Sequence, residues 1–398
     1  MRIGKWARLL LAATPLVAGC AGFWAPPSGS GGSGTTSTTL SSGNFYILSK
    51  GSTISQVYGF SIVSGKLTAL SGSPYAVTGQ AFAMAPGPSG SGYLYVSSTA
   101  GVYIYTVNSS SGALTQGAQV SQDLTAGAIQ VDPGGAWLIE ALDVGSLVAV
   151  PITSTGVFDS STTRAVQQVA LAGLQVQQMA ISPNHTLIAV ALGSAGTQLF
   201  PFTSSNTANP IGTALSPTIG TVNTTGVGAS VAVSFDPLSR FMYIGETAAF
   251  PTSTSSSGGL RAFTIASSPL AVAEFQGSPY QTTGTGPHAI QPIAAGDYVY
   301  AASWQGTTAG LITPFQLTST VSTTGTVYKL TALTSTVATG IQPSGLDEDN
   351  LANFMLAVSS GGTPTFSAYI FDTTTIGKLD LTNTDSTAAT PAGVTAAP

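Results

Sequence analysis

Cysteine, histidine and charged side chains are all scarce in this chain of 398 residues. It has 1 cysteine and 2 histidines, and only 6% of its residues are charged. A single cysteine excludes a disulfide framework, and no cysteine or histidine cluster points to zinc. The sequence has no G-x-S-x-G segment, so a serine hydrolase of the α/β type is unsupported. We therefore expect neither a metal nor another cofactor, and stability must come from packing and sheet closure.

Positive charge is especially scarce. Lys and Arg number 10 against 15 Asp and Glu, which gives a formal net charge of -5 at pH 7. Three of the basic residues, Arg2, Lys5 and Arg8, lie at the N-terminus, so the rest of the chain is more acidic still. An acidic surface argues against nucleic acid and anionic lipid head groups as partners.

The N-terminal region has the layout of an export signal. Its basic residues precede the apolar run LLLAATPLVA, which is too short to span a bilayer. The run ends at LVAGC, which resembles the lipobox at which bacterial lipoproteins are cleaved and lipidated, here on Cys20. Ala21 follows, as in lipoproteins passed to an outer membrane. We expect residues 1–19 to be a signal peptide, and the exported protein to be held in the cell envelope through its N-terminal lipid alone. The alternative is an ordinary signal peptide with an incidental cysteine.

Residues 20–43 form a tether rich in Gly, Ser and Thr, with no apolar periodicity. The tether contains GSGGSG, which formally fits the dinucleotide pattern G-x-G-x-x-G. No strand precedes that segment and no helix follows it, so we reject a nucleotide site. Residues 44–398 make up the folded domain.

The folded domain repeats an aromatic or aliphatic strand. The seven copies are FYILSK, YLYVSS, WLIEAL, LIAVAL, FMYIGE, YVYAAS and FMLAVS, spaced 44 to 57 residues apart. A second strand follows each copy, a third short strand usually comes next, and six copies have a further strand about ten residues upstream. Such periods indicate a propeller or solenoid. We predict an all-β, seven-bladed β-propeller with four-stranded antiparallel blades.

The first repeat lacks its upstream strand. PAGVTAAP, residues 391–398, resembles the upstream strands GAIQVDP and QQMAISP and can supply it. We expect this C-terminal strand to pair with the N-terminal blade and close the ring. Closure removes exposed sheet edges, and we expect a monomer. The alternative is a free Ala/Pro/Thr tail.

The unit YLYVSSTAGVYIYTVNSSSGALTQ resembles the repeats of the lactonase-like seven-bladed propeller family, related to WD40 and YVTN propellers. The best-known members hydrolyse 6-phosphogluconolactone, and the resemblance extends from Phe45 to the end of the chain. Related propellers that only bind ligands share the repeat, so it implies the fold more strongly than an activity.

The family also carries a Gly-Pro-His element that enters an inner strand, and an acid at the end of the next strand. Gly286, Pro287 and His288 match the first part. Ser303 stands where the acid is expected, and the nearest equivalent acid is Glu246, one blade earlier. The resemblance thus implies a catalytic pair of His288 and Glu246, in a split form.

Residues that enter an inner strand, or that leave the strand after it, should meet at one face of the ring around its channel, where ligands usually bind. For lactone hydrolysis His288 is the candidate base, oriented by Glu246, with Lys50 or Arg261 as the cation at the oxyanion. The alternative is that His288 caps a strand and that Glu246 pairs with Arg261. The candidate ligand-binding residues are Lys50, Glu140, Asp143, Arg261 and Trp304.

The sequence contains three further polar features. Glu140 replaces an aliphatic residue of the repeat, so its carboxylate either faces the channel or reaches solvent. His185 belongs to a turn on the opposite face. The acidic segment LDEDN lacks the spacing of a calcium loop, and we interpret it as a solvated turn.

An exported, acidic protein does not fit a phosphorylated cytoplasmic substrate. We therefore expect a membrane-tethered, extracytoplasmic propeller that binds a small-molecule or protein ligand at its channel mouth. The alternative is a hydrolase of an unphosphorylated lactone, acting through His288 and Glu246.

Overall fold

A computed structural model describes residues 42–51, 54–64, 66–223, 227–251, 256–293, 297–323, 325–388 and 390–396. In these residues the secondary structure is entirely β, and no helix that could cross a membrane is found among them. The predicted signal peptide, Cys20 and nearly all of the tether lie outside the described residues.

The strands form seven antiparallel sheets, the blades, numbered here along the chain. From the ring axis outward, blade 1 contains β30 (Pro391–Ala396), β1 (Phe45–Ser49), β2 (Gln56–Val63) and β3 (Lys66–Ala69), and β4 (Tyr75–Ala76) also pairs with β2. Blade 2 contains β5 (Ala81–Pro86), β6 (Tyr93–Ser98), β7 (Gly101–Val107) and β8 (Leu114–Ser121). Blade 3 contains β9 (Ala126–Val131), β10 (Trp137–Leu142), β11 (Ser146–Pro151) and β12 (Gln167–Ala170).

The remaining blades vary more in their outer strands. Blade 4 contains β13 (Gln178–Ile181), β14 (Leu187–Ala191) and β15 (Thr197–Pro201). Blade 5 contains β16 (Ala229–Phe235), β17 (Phe241–Pro251), β18 (Ser256–Ser267) and β19 (Leu270–Glu274), and β20 (Tyr280–Gln281) also pairs with β18. Blade 6 contains β21 (Gly286–Pro292), β22 (Tyr298–Gln305), β23 (Thr308–Ser322) and β24 (Gly325–Ala332), and β25 (Val337–Ile341) also pairs with β23. Blade 7 contains β26 (Pro343–Glu348), β27 (Phe354–Ser359), β28 (Phe366–Phe371) and β29 (Leu379–Asp385).

The inner strands form a closed ring. Each of β30, β5, β9, β13, β16, β21 and β26 contacts the inner strand of both neighbouring blades. The C-terminal strand β30 pairs antiparallel with β1, from Phe45 opposite Ala396 to Leu48 opposite Gly393. The predicted seven-bladed propeller, and its closure by the C-terminal strand, are therefore confirmed.

The core consists of seven apolar clusters, one between each pair of neighbouring blades. The second strand of each blade, counted outward from the ring axis, is the repeated apolar strand of the sequence. These second strands are covered on both faces, and every residue of β1, β10, β14 and β27 is buried. This two-sided packing explains why the repeat appears as a continuous apolar run rather than an alternating one. Each large side chain buried in this way stabilises the fold by about 1.5–3 kcal/mol.

Aromatic donors on the second strands also connect neighbouring blades. Their hydrogen bonds end on backbone oxygens of the next blade: Tyr46 to Gly112 at 2.7 Å, Tyr95 to Gly156 at 2.8 Å, Trp137 to Ser204 at 2.9 Å and Tyr300 to Gly377 at 3.1 Å. Tyr243 is the equivalent residue in blade 5, but its buried hydroxyl has no partner. In blade 6, β23 and β24 continue past the level at which the other blades turn, to the pair Ser322 and Gly325. The backbone oxygen that would accept a hydrogen bond from the Tyr243 hydroxyl is therefore missing from blade 6.

Two sequence interpretations need correction. Blade 4 has three regular strands, and isolated bridges such as Phe202 to Ile211 take the place of its outer strand. The segment LDEDN is not a solvated turn, since Asp349 is only 3% exposed. The Asp349 carboxylate accepts hydrogen bonds from the backbone of Asn353 and Phe354, which fixes the turn between β26 and β27.

Candidate functional site

The central channel opens where the inner strands begin and the second strands end, and we call this side of the ring the mouth face. A cavity of ≈ 250 Å³ lies on the axis and is lined by residues of all seven inner strands. Its polar lining residues are Lys50, Gln177, Gln178, His288 and Ser344. Apolar side chains of the inner strands, such as Met84, Ile129 and Leu346, complete the wall.

His288 reaches this cavity from the beginning of β21. The β21–β22 pairing is irregular between Pro287 and Ala289, so His288 lies at a bulge that turns its side chain out of the regular ladder. Its ring stacks on the Trp304 ring with centroids 3.7 Å apart and an interplanar angle of 11°. Trp304 is held in turn by a 2.8 Å hydrogen bond from its Nε1 to the Pro343 oxygen in blade 7. The stacked pair therefore has a fixed orientation.

Burial lowers the pKa of His288 to about 4. The ring is therefore neutral near pH 7, with one nitrogen as donor and the other as acceptor. No hydrogen bond joins it to any residue that the structure describes, so both nitrogens are available to a ligand. The alternative role, in which His288 caps a strand, requires such a hydrogen bond and is therefore not supported by the described residues.

Glycines let the His288 segment lie against blade 5. A Cβ at Gly258 would stand 2.0 Å from the Gly286 Cα atom, and one at Gly245 would stand 2.3 Å from the Pro287 oxygen. Any side chain at these two positions would push the beginning of β21 away from blade 5. The repeat pattern gave no signal for this contact, because it lies between blades.

Lys50 enters the same cavity from the end of β1. Its backbone is joined to Thr390, just before β30, by hydrogen bonds in both directions, so ring closure also positions this lysine. Lys50 is exposed at the mouth, yet the channel walls desolvate its ammonium and lower its pKa, an effect that the nearby Asp143 opposes. Among the described residues it forms no ion pair. The structure therefore brings two of the predicted residues, His288 and Lys50, into one cavity, and a third, Trp304, stacks on His288.

Glu246 and Arg261 lie elsewhere in blade 5. The Arg261 Nη1 atom is 2.7 Å from Glu246 Oε1, and its Nη2 atom is 2.7 Å from Glu274 Oε2. The other Glu246 oxygen accepts a 2.9 Å hydrogen bond from the Val222 backbone. Both Glu246 oxygens are therefore engaged, and Glu246 does not line the cavity around His288. The expected orientation of His288 by Glu246, and an oxyanion role for Arg261, are not supported by these placements.

Asp143 borders the mouth, whereas Glu140 does not. The Asp143 Oδ1 atom accepts a 3.2 Å hydrogen bond from the Val176 backbone and lies beside Gly127, which lines the cavity. Glu140 is 0% exposed and lies between blades 2 and 3. Burial, and then the neighbouring Asp123, raise its pKa well above the usual range. It therefore faces neither the channel nor solvent, contrary to both sequence expectations.

Gln177 and Gln178 are mouth residues that sequence reasoning missed. Gln178 lines the cavity and also accepts a 2.8 Å hydrogen bond from the Val233 backbone in blade 5. The signal was present in the sequence, because QVQQ places amides where the other inner strands begin with small or apolar residues.

Seven blades closed by the C-terminal strand, with one cavity on the axis, define a seven-bladed β-propeller of the lactonase-like fold. No family model matches the chain, and no curated protein sequence is similar to it. Solved structures with this fold are similar along most of their length. The periplasmic gluconolactonase of Pseudomonas aeruginosa is 14% identical with a TM-score of 0.65, over 89% of this chain and 99% of that one. A candidate 6-phosphogluconolactonase from Bacteroides uniformis is 18% identical with a TM-score of 0.66, over the same shares. At such identities the likeness shows the fold alone.

Proposed function

We propose that this propeller binds a small-molecule ligand at its channel mouth. The observation that carries the proposal is the convergence of His288 and Lys50 on one cavity of ≈ 250 Å³. Their side-chain polar atoms make no hydrogen bond or ion pair with other described residues, while most buried polar groups in proteins are satisfied internally. A protein ligand would have to insert a side chain into this cavity, so the small-molecule reading fits the dimensions better.

The lining indicates the chemistry of the ligand. An ammonium, a neutral imidazole and two amides favour an oxygen-rich group such as a carboxylate, a hydroxyl or a lactone carbonyl. Apolar side chains deeper in the channel offer no partner for a second charge. A sugar acid or sugar lactone without a phosphate satisfies both conditions.

Binding of gluconate and of glucono-1,5-lactone, measured by calorimetry, tests the proposal. Replacing His288→Ala or Lys50→Met should weaken binding by about tenfold or more, since each removes a hydrogen-bonding or charged partner worth about 1.5–3 kcal/mol. The matched control is His185→Ala, because His185 lies in a turn on the opposite face and should leave binding unchanged. If neither compound binds the wild-type protein, or if the His288 variant binds equally well, the proposal fails.

The second candidate function is hydrolysis of an unphosphorylated lactone, which the shared cavity of His288 and Lys50 favours. His288 would take a proton from water as the water attacks the lactone carbonyl, and Lys50 would stabilise the oxyanion. The protonated His288 would then return that proton to the ring oxygen as the ring C–O bond breaks and the carboxyl group forms. A pKa of about 4 makes His288 a weak base, and Glu246 is engaged elsewhere. Turnover above the spontaneous rate, rising with pH through about 4 and lost in His288→Ala, would establish it. Equal rates in both proteins would exclude it.

We further propose that the protein is exported and lipidated on Cys20, with the propeller outside the cytoplasm. The basic N-terminal residues, the apolar run LLLAATPLVA and the lipobox-like LVAGC sequence support this location. Fractionation of a bacterial host should find the wild-type protein in the membrane fraction, labelled by fatty acid. The Cys20→Ser variant should lose the label and leave that fraction. An unlabelled wild-type protein would contradict the proposal.

A further inference from the structure

A second cavity lies at the outside of the ring, between blades 2 and 3, and has no connection with the proposed function. Its volume is ≈ 350 Å³. The apolar part of its wall consists of Val120 and Val150 together with Phe158 and Val166, which are 42% and 53% exposed. Large apolar side chains that stay exposed inside a concave surface are typical of a binding site. We call this cavity the interblade cleft.

Two acidic residues mark the inner end of the interblade cleft. Ser121 and Asp123 line it, and the Ser121 hydroxyl donates a 3.1 Å hydrogen bond to Oε2 of the fully buried Glu140. The Glu140 carboxyl is thus directed at the wall of the cleft. Its other oxygen, Oε1, is buried and has no hydrogen-bond partner. The Asp123 carboxyl lies close enough to Glu140 for a hydrogen bond when one of the two carries a proton.

Burial and the neighbouring Asp123 carboxyl raise the pKa of Glu140 well above its usual range, so the negative charge at this end of the cleft lies on Asp123. That charge has no counterion in the described residues: none of their ion pairs includes Asp123 or Glu140. Among the residues that line the cleft, Asp123 alone is charged. A negative charge beside an apolar wall is left for a ligand to neutralise.

We infer that the interblade cleft binds a ligand that carries a protonated amine on an apolar body. The ammonium would contact Asp123 at the inner end, and the apolar body would cover Phe158 and Val166. An anion would be repelled by the carboxyl pair. A bare calcium ion would need six to eight oxygen ligands, and two carboxyls with one hydroxyl supply too few.

The experiment uses benzylamine, protonated at pH 7, and benzyl alcohol as its uncharged counterpart. Titration followed by NMR on the full-length exported protein should show benzylamine binding about tenfold more tightly than benzyl alcohol. Asp123→Asn should abolish that difference, and Phe158→Ala should weaken both compounds by about tenfold or less. The matched control is Asp380→Asn, which removes an exposed carboxylate on blade 7 and should change nothing.

The result that overturns the inference is equal binding of the two compounds, or an unchanged benzylamine affinity in Asp123→Asn. Because Phe158 is partly exposed, its variant should fold even if the Asp123 variant does not. An unchanged benzylamine affinity in Phe158→Ala would then also overturn it. Lys50→Met should leave benzylamine binding intact, which separates this site from the channel mouth.

Discussion

Asp347 is a carboxyl group at a position where another blade has an amide. Its Oδ2 atom accepts a 2.8 Å hydrogen bond from the backbone of Ala396 in the closing strand. At the equivalent position of blade 3, the Gln130 side-chain oxygen likewise accepts a 2.8 Å hydrogen bond from the backbone of Ile181. An amide can do this without a charge, but burial raises the pKa of Asp347 to about 7.

This raised pKa makes stability depend on pH. Because the pKa is 3.8 ordinarily and about 7 in the fold, the contribution of Asp347 is fully present below pH 4 and is lost as the pH rises through 7. Asp347→Asn should keep the hydrogen bond and remove this loss, gaining on the order of 2 kcal/mol over wild type by pH 8. Urea unfolding between pH 4 and 8 measures the difference. Gln130→Glu should introduce the same pH dependence, and parallel curves for the wild type and Asp347→Asn would contradict the prediction.

Tyr95 and Tyr243 are equivalent residues with different hydrogen bonding. Tyr95→Phe should cost about 1 kcal/mol, because it leaves the Gly156 oxygen without its donor. Tyr243→Phe removes a buried hydroxyl that has no partner, so it should be neutral or stabilise by about 1 kcal/mol. Urea unfolding of both variants provides the test. Equal losses would mean that Tyr243 has a partner in solution.

The polar residues show how far a repeat alignment can predict a site. The alignment places a residue at a height along the ring axis, and Lys50, Asp143 and His288 all lie at the predicted mouth face. The direction of a side chain depends on which face of the strand it occupies and on which blade packs there. Glu140 illustrates the difficulty, because its side chain points toward blade 2 rather than the channel. Glu246 pairs with Arg261 of its own blade, as the alternative interpretation expected, but its second partner, the Val222 backbone, comes from a blade connection that no repeat contains.

At the scale of elements, the hairpin of β17 and β18 is joined to the preceding blade connection by Arg261. Arg261 Nη1 donates 2.7 Å hydrogen bonds to the Gly220 oxygen and to Glu246, and Glu246 binds the Val222 backbone. The buried carboxylate therefore satisfies a guanidinium and fixes a loop. This arrangement predicts a structural role for Glu246.

Glu246→Gln should destabilise the protein by about 2–3 kcal/mol, because it leaves a mostly buried guanidinium with one carboxylate instead of two. Glu274→Gln is the matched control. Glu274 is 31% exposed, so its replacement should cost about 1 kcal/mol or less. Urea unfolding gives both values, and ligand binding by folded Glu246→Gln should match wild type. If the Glu246→Gln variant had normal stability but no longer bound the ligand, Glu246 would instead belong to the ligand-binding site.

The more deeply a strand is buried, the more accurately the sequence predicted it. All seven second strands begin at the residue that the repeat predicted, from Phe45 to Phe354, because packing on both faces leaves a continuous apolar run. The outer strands carry a weaker pattern, since one side of each faces solvent. Blade 4 shows the consequence, with bridges where a fourth strand was expected.

The whole molecule depends on one strand that joins the two ends of the domain. Without β30, the edge of β1 would expose its backbone donors and acceptors to the channel, and β26 and β5 would lose a neighbour on the axis. Five residue pairs join β30 to β1, and one of them includes the buried Ala396. At about 1 kcal/mol for each hydrogen bond, their loss is comparable with the whole stability of a typical domain.

Deleting residues 391–398 should therefore leave a protein that unfolds at least about 10 °C lower than wild type and aggregates through its open edge. Deleting only residues 397 and 398 keeps every β30 pairing that the structure describes and should have no such effect. Calorimetry and size-exclusion chromatography measure the two properties. A synthetic peptide of residues 388–398 should restore the melting temperature by filling the vacant position beside β1, as strand complementation does elsewhere. A truncated protein that melts like wild type would show that the ring does not need its closing strand. Rescue by the peptide would locate the lost stability in this one pairing, because the peptide restores the strand without the covalent link.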